Sequence, residues 1–173
     1  MADVKANPPA KPGTAKVKHA RDPCNNLEAV QFVQDHLEDA KKLASEAEVP
    51  VENMLGLAAQ ESQYGAGRIA REYKNYFSMH APAMFQTREE PALNDPKVQV
   101  AVFDSFYQSG RSFLARFGDA IHGKSDPDAF AQALVKAGFN SGKAATGGRD
   151  NFAHYLADII RMVQRRMACS TKE

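Results

Sequence analysis

The chain has 173 residues with 22 basic and 21 acidic side chains, and its formal net charge is +1. This length allows one domain with a hydrophobic core. Because the charges balance, the composition gives no support for nucleic acid or an anionic membrane surface as the main partner. The sequence contains no apolar run of about 18 residues, so we expect no membrane insertion.

The first residues differ in composition from the rest of the chain. Residues 1–23 are rich in proline and lysine and have little to bury, which predicts a flexible arm. We predict one domain over residues 24–169 and a short tail over 170–173. The arm lacks the apolar stretch of a secretory signal, so action outside the cytoplasm would require export by a specialised system.

Helical spacing begins where the arm ends. Asn25 and Glu28 are placed as a capping box for a first helix that stops before Pro50. A second helix is predicted over 51–63, followed by a glycine turn and a short helix over 68–73.

The second half of the chain predicts a loop or small hairpin and then three more helices. Residues 80–96 show no sustained period, whereas residues 98–117 return to helical spacing. Asp126 and Pro127 mark the start of the next helix, which runs to Gly138. An amphipathic helix over 152–167 closes the domain. The predicted fold is therefore mainly α-helical.

Two cysteines flank the helical part of the sequence. Cys24 precedes the first helix and Cys169 follows the last. Because the ends of a domain often lie close together, a disulfide between them would join the termini. Two unrelated free thiols are the alternative, since the sequence does not give their separation.

The second helix carries a candidate catalytic acid. Met54, Leu57 and Ala58 recur at helical spacing, and Glu61 falls on the same apolar face. Burial and the negative end of the helix dipole would both raise the pKa of this carboxyl. Glycosidic cleavage needs an acid that keeps its proton near neutral pH. A partly exposed glutamate at a helix end, or one paired with a buried arginine, is the alternative interpretation of this pattern.

The residues around this glutamate match an ordered motif. They are Ala59-Gln60-Glu61-Ser62-Gln63-Tyr64-Gly65, Arg68-Ile69-Ala70 and Asn75-Tyr76-Phe77-Ser78-Met79-His80. The run resembles the bacterial glucosaminidases of glycoside hydrolase family 73, whose pattern reads A-x-x-E-S-x-W-G, then L-A, then N-x-F-G-I-K. Tyr64 stands at the tryptophan position, and Ser78 stands at the glycine of the last segment.

The resemblance implies a lysozyme-like helical domain with a small β-lobe or loop over a cleft, and it implies that Glu61 is the general acid. Thr87-Arg88-Glu89 resembles the T-x-E segment that supplies a second carboxylate in some members. Glu90 and Asp95 are rivals of Glu89 for this role. The acetamido group of the substrate is an alternative to any second carboxylate.

The same resemblance predicts residues that contact the sugar. Ala137-Gly138-Phe139-Asn140 resembles the A-G-Y-A turn of the family, with Phe139 in place of tyrosine. The aromatic candidates could equally belong to the core. The predicted substrate-binding residues are Ser62, Tyr64, Asn75, Tyr76, Phe77 and Phe139. No cofactor or metal is expected, because the histidines are isolated and the cysteines lie far apart.

The implied activity is that of an endo-β-N-acetylglucosaminidase that cleaves peptidoglycan glycan strands after N-acetylglucosamine. The compact architecture resembles the glycoside hydrolase effectors of type VI secretion, which act in the periplasm of a target bacterium and are blocked by a cognate immunity protein. Three alternatives stay open. They are a muramidase or a lytic transglycosylase of phage or flagellar origin, and an inactive lysozyme-like domain that only binds peptidoglycan.

Overall fold

A computed structural model describes residues 22–169. Except for its last two residues, the predicted arm over 1–23 lies outside this range, as does the predicted tail over 170–173. Six α-helices and one two-stranded antiparallel sheet make up the described part of the chain. The prediction of a mainly helical fold with a small β-lobe is confirmed.

The elements follow one another with short connections. In chain order they are a 3₁₀ turn at Pro23–Asn25, α1 Leu27–Ala47, α2 Val51–Ser62, α3 Arg68–Tyr73, β1 Arg88–Pro91, β2 Gln99–Val102, α4 Phe106–Ile121, α5 Pro127–Lys136, a 3₁₀ turn at Ala144–Thr146 and α6 Phe152–Met167. In the described residues no helix is both long and apolar enough to cross a membrane.

Two predicted boundaries were wrong. The cap of α1 is Asn26, whose side chain accepts a hydrogen bond from the Ala29 N–H, because Asn25 belongs to the preceding 3₁₀ turn. The helix predicted over 98–117 is a strand at Gln99–Val102 and becomes helical only after Ser105. A short apolar run fits a strand or a helix equally well, and pairing with β1 decides between them.

Helix α2 lies at the centre of the core. Met54, Leu55, Leu57 and Ala58 are fully buried, and α1 and α6 pack against this helix. At Gly56 an added Cβ would lie 2.5 Å from the Cγ1 and 2.9 Å from the Cα of Ile160. The missing side chain therefore lets the α2 and α6 backbones approach closely, and α2 reaches its C-terminal end on a rigid support.

The two ends of the domain are tied to the turn that follows α2. Cys24 and Cys169 form a disulfide, with their Cα atoms 5.6 Å apart. On the last turn of α6, Arg166 donates a hydrogen bond to the Pro23 carbonyl at 3.2 Å and another to the Tyr64 hydroxyl. The chain termini and the segment after α2 thus share one contact region.

Candidate active site

Glu61 is the penultimate residue of α2, and its side chain is partly buried. The Ser78 hydroxyl donates a hydrogen bond to its Oε2 at 3.1 Å. Burial raises the pKa of the Glu61 carboxyl, while the Ser78 hydrogen bond and the positive charge of Arg149 oppose this rise. The net direction is upward, so the site favours the protonated acid relative to a glutamate in water.

Two surface depressions share Glu61 in their linings, and we call the surface that they span the groove. The first, which we name the apolar half, is lined by Glu61, Ser62, Gln63, Gly67, Arg68, Ile69, Ala70, Ala92, Leu93, Asn94 and Val100. The second, which we name the polar half, is lined by Glu61, Ser78, Met79, His80, Arg116, Phe117, Gly138, Phe139, Asn140 and Gly147. Because Glu61 lines both halves, a chain of sugars in the groove would pass its carboxyl.

The loop that carries Ser78 is held by a buried amide. The Nδ2 of Asn75 donates hydrogen bonds to the carbonyls of Met79 at 2.8 Å and Ala101 at 2.9 Å, and its Oδ1 accepts one from the Met79 N–H at 3.0 Å. Asn75 therefore binds backbone and supports the loop, and the structure shows this supporting role for the residue that the sequence predicted as a substrate contact. Within this loop Ser78 has a φ of 53°, a conformation that costs a non-glycine residue about 1–2 kcal/mol.

Ser62 also has a supporting position. Its hydroxyl donates to the Ala58 carbonyl at 2.6 Å and accepts from the Gly65 N–H at 2.9 Å, and the residue is only 3% exposed. Both bonds stabilise the end of α2 and the turn that follows it. Ser62 also lines the apolar half of the groove, so its contact with the sugar stays a prediction.

Three predicted aromatic contacts belong to the core side of the molecule. Tyr64 packs edge-on against Phe32, with their centroids 5.7 Å apart, and Phe77 is fully buried. Tyr76 lies against Phe106 at 5.0 Å. None of the three predicted residues lines either half of the groove. Their motif positions are explained by packing, because a large ring is needed under the loops that flank Glu61.

Phe139 is the predicted aromatic residue that the fold does bring to the groove. It lines the polar half, and its ring packs edge-on against Phe113 at 5.6 Å and Phe117 at 5.2 Å. The sequence interpretation missed Arg116, which lines the same half from α4. Its only signal in the sequence is its place beside Phe117 on an amphipathic helix, and many exposed arginines share such a place.

The pairing of β1 with β2 places Glu89 and Glu90 on opposite faces of the hairpin. In the β1–β2 register Glu90 lies opposite Val100, whereas Glu89 lies opposite Ala101. Directly opposed residues of an antiparallel pair share one face of the sheet. On its other edge Val100 bridges to His80, so His80, Val100 and Glu90 form a row on one face. Val100 and His80 line the two halves of the groove, whereas Glu90 lies beyond them in the row and lines neither half. Glu89 points to the other face.

Two acidic residues of the hairpin have local partners. Glu90 accepts from the Arg88 Nε at 3.0 Å, and the side chain of Asp95 accepts from the Lys97 N–H at 3.0 Å in the hairpin turn. Within residues 22–169 no three histidine, cysteine or acidic side chains cluster in a way that could hold a metal ion.

The family model described as mannosyl-glycoprotein endo-beta-N-acetylglucosaminidase matches residues 37–166. The search of curated proteins gave no match. Among solved structures, a chain from a type VI secretion system effector-immunity complex of Pseudomonas protegens is 55% identical, with a TM-score of 0.77 over 85% of this chain and 99% of that chain.

More distant structures share the fold. A peptidoglycan hydrolase from Sphingomonas sp. A1 is 24% identical, with a TM-score of 0.64 over 83% of this chain and 98% of that chain. The glycoside hydrolase domain of Salmonella typhimurium FlgJ is 22% identical, with a TM-score of 0.60 over 79% and 88%. Because the family model spans most of the sequence and the described elements form the fold of these hydrolase domains, the chain belongs to the glucosaminidase family, glycoside hydrolase family 73.

Proposed function

We propose that this protein is a peptidoglycan hydrolase that cleaves the β-1,4 bond after N-acetylglucosamine, with Glu61 as the general acid. One observation carries the assignment. The partly buried Glu61 lines both halves of the groove, and burial raises the pKa of its carboxyl. A proton donor between two depressions suits an enzyme that cuts within a polysaccharide chain.

The geometry divides the work between the two oxygens of this carboxyl. Ser78 donates to Oε2, so Oε1 carries the proton that passes to the leaving glycosidic oxygen as its bond to the sugar carbon breaks. The same hydrogen bond then stabilises the carboxylate that remains. Glu61 thus becomes charged only as the leaving group becomes neutral.

A second group must activate the attacking water or stabilise the sugar cation. Glu89 was the first candidate from the sequence, but the strand register favours Glu90, which shares one face with Val100 and His80. In this assignment Glu90 leaves its pair with Arg88 when it binds water. Assistance by the acetamido group of the substrate is the competing mechanism, and it predicts that neither hairpin glutamate matters.

We further propose that the protein is a type VI secretion effector that acts in the periplasm of a target bacterium. The 55% identity to a chain of an effector-immunity complex supports this role, because that chain aligns over almost its whole length with a glucosaminidase domain. The Cys24–Cys169 disulfide is suited to an oxidising compartment. The corresponding partner is an immunity protein that covers the groove.

The first test is mass spectrometry of borohydride-reduced fragments released from purified peptidoglycan. Wild type should release fragments with reduced N-acetylglucosamine ends, and Glu61→Gln should lower the rate by about 10²–10⁴-fold, the usual contribution of a general acid. Glu38→Gln, on an exposed acid of α1, is the matched control. Reduced muramic ends would indicate a muramidase, anhydro sugars would indicate a transglycosylase, and no release by wild type would indicate a binding domain.

The biological role is tested by directing the protein to one compartment at a time. Expression with a secretory leader should lyse the host, whereas expression in the cytoplasm should not, and Glu61→Gln should be harmless in both. Co-expression of the immunity protein in the periplasm should restore growth. Equal toxicity of wild type and Glu61→Gln would contradict a role that depends on wall hydrolysis.

A further inference from the structure

The two halves of the groove differ in their free positive charge, and this difference can orient the substrate. We infer that the polar half binds the carboxylate-bearing muramyl residue on the leaving-group side of the cleaved bond, and that Arg116 is the specificity-determining contact. The inference rests on the proposed function, because it names the substrate group that one part of the same site recognises.

The apolar half contains an arginine whose charge is already paired with a carboxylate. The Nε of Arg68 lies 3.2 Å from the Oε2 of Glu72, and its Nη2 donates to the Tyr73 hydroxyl at 2.9 Å. Around it the apolar half is lined by aliphatic side chains such as Ile69 and Val100. This half is therefore suited to an uncharged sugar.

Arg116 in the polar half has no such partner. Its side chain is exposed, and within residues 22–169 no carboxylate lies within ion-pair distance of it. The guanidinium stands 5.2 Å from the centroid of the Phe117 ring, which holds it beside the groove wall. Arg116 therefore presents an unneutralised cation with free donors to whatever occupies the polar half.

A second cation adds to the positive potential on this side. Arg149 follows the turn that lines the polar half, and its backbone N–H donates to the Oδ1 of Asn140 at 3.0 Å. Its guanidinium lies 4.6 Å from the centroid of the Tyr155 ring. Its charge is felt at Glu61. Glu61 is the only carboxylate among the described residues that line this half, so the polar half is cationic whenever Glu61 is protonated.

The chemistry of the glycan matches this asymmetry. A peptidoglycan strand alternates neutral N-acetylglucosamine with N-acetylmuramic acid, whose lactyl group ends in a carboxylate or in a peptide stem that carries carboxylates. When the bond after N-acetylglucosamine is cleaved, the leaving sugar is the muramyl residue. Charge-assisted hydrogen bonds from a guanidinium to this carboxylate would place the muramyl residue in the polar half and the N-acetylglucosamine in the apolar half.

The test compares an anionic with a neutral substrate. kcat/KM is measured for a muramyl-containing peptidoglycan fragment and for an oligomer of N-acetylglucosamine of equal length. Arg116→Gln should lower the ratio of kcat/KM for the muramyl fragment to kcat/KM for the neutral oligomer about tenfold. Arg116→Lys should lower this ratio less, because lysine keeps the charge but lacks the planar pair of donors. Arg111→Gln is the control, since Arg111 lies on the same helix but stacks on Phe85 outside the groove.

The same comparison is made for binding. The dissociation constant of each oligosaccharide is measured for the Glu61→Gln protein and for the double variant Glu61→Gln/Arg116→Gln. The inference holds if Arg116→Gln weakens binding of the muramyl fragment about tenfold more than binding of the neutral oligomer. An unchanged ratio, or equal weakening for both, overturns it. Failure of wild type to release N-acetylglucosamine ends from peptidoglycan would instead overturn the proposed function, so the two failures are distinguishable.

Discussion

The two sides of the groove have opposite kinds of support. On one side α2 is buried along most of its length and packs against α1 and α6, so Glu61 projects from the best-packed part of the molecule. On the other side β1 is an edge strand that, within residues 22–169, pairs only with β2 and is exposed at three of its four residues. The proton donor is thus held by the core, whereas the candidate for activating water is held by one hairpin.

Removal of the terminal disulfide should have the largest effect on the packed side. The bond closes a loop with a sequence separation of 145 residues, and loss of a native disulfide costs about 2–5 kcal/mol. Cys24→Ser/Cys169→Ser protein should show this loss in the free energy of unfolding measured with urea. Wild type under reducing conditions should match the double variant. A change below about 1 kcal/mol would show that packing alone holds the ends together.

On the hairpin side, Glu90→Gln should reduce kcat about a hundredfold, a change of about 2.7 kcal/mol in the activation free energy. Glu89→Gln is its matched control on the opposite face of the same strand and should change kcat less than threefold. The measurement is release of reducing ends at saturating substrate. The opposite ranking would return the role to Glu89, and two near-neutral variants would favour acetamido assistance.

Glycine substitutions test how closely α2 packs on α6. Gly56→Ala would place a Cβ 2.9 Å from a backbone atom of α6, and overpacking of this kind costs about 1–3 kcal/mol. Gly118→Ala in α4 meets nothing closer than 3.6 Å and should stabilise the protein by about 0.5–1 kcal/mol, because alanine is the better helix former. Thermal and urea unfolding of both variants provide the check. Equal effects would contradict close backbone packing of α2 on α6.

The smallest expected effect is that of substituting Ser78, whose hydroxyl contacts Glu61. The Ser78 hydroxyl stabilises the Glu61 carboxylate and so lowers its pKa against the larger effect of burial. Ser78→Ala removes that hydrogen bond and should raise the pKa further. Because a general acid must be protonated, the basic limb of the pH profile of kcat/KM should move to higher pH, by less than about one unit.

Ser78→Gly is the matched variant for this experiment. It removes the same hydroxyl and also relieves the left-handed backbone at φ 53°. Both variants should therefore shift the pH profile equally, while Ser78→Gly should be the more stable of the two. A shift to lower pH in either variant would contradict the assignment of Ser78 as a donor to the carboxylate.

The elements that the sequence predicted well depend on neighbours close in the chain. The start of α5 followed from Asp126 and Pro127, and the Asp126 side chain does accept from the Ala129 N–H. The bounds predicted for the short helix Arg68–Tyr73 are confirmed. Helical period and capping are local interactions, so a single segment contains the information that specifies them.

The features that the sequence did not decide depend on partners far along the chain. Gln99–Val102 fits a strand or a helix until β1 pairs with it. For Tyr76 and Phe77 the sequence left sugar contact and core packing both open, and in the structure α1 and α4 pack against their rings. An aromatic residue in a motif has the same sequence signature whether it faces a ligand or the core.

By itself the sequence determined that a helical glucosaminidase domain should place an acid at the end of its second helix, because period and motif spacing carry that information. Only the tertiary structure decided what surrounds Glu61: the Ser78 hydroxyl at Oε2, the face that Glu90 shares with Val100, and the place of Arg116 in the polar half. The reason is physical. Burial, strand register and the charge of a groove arise from segments that meet only when the chain has folded.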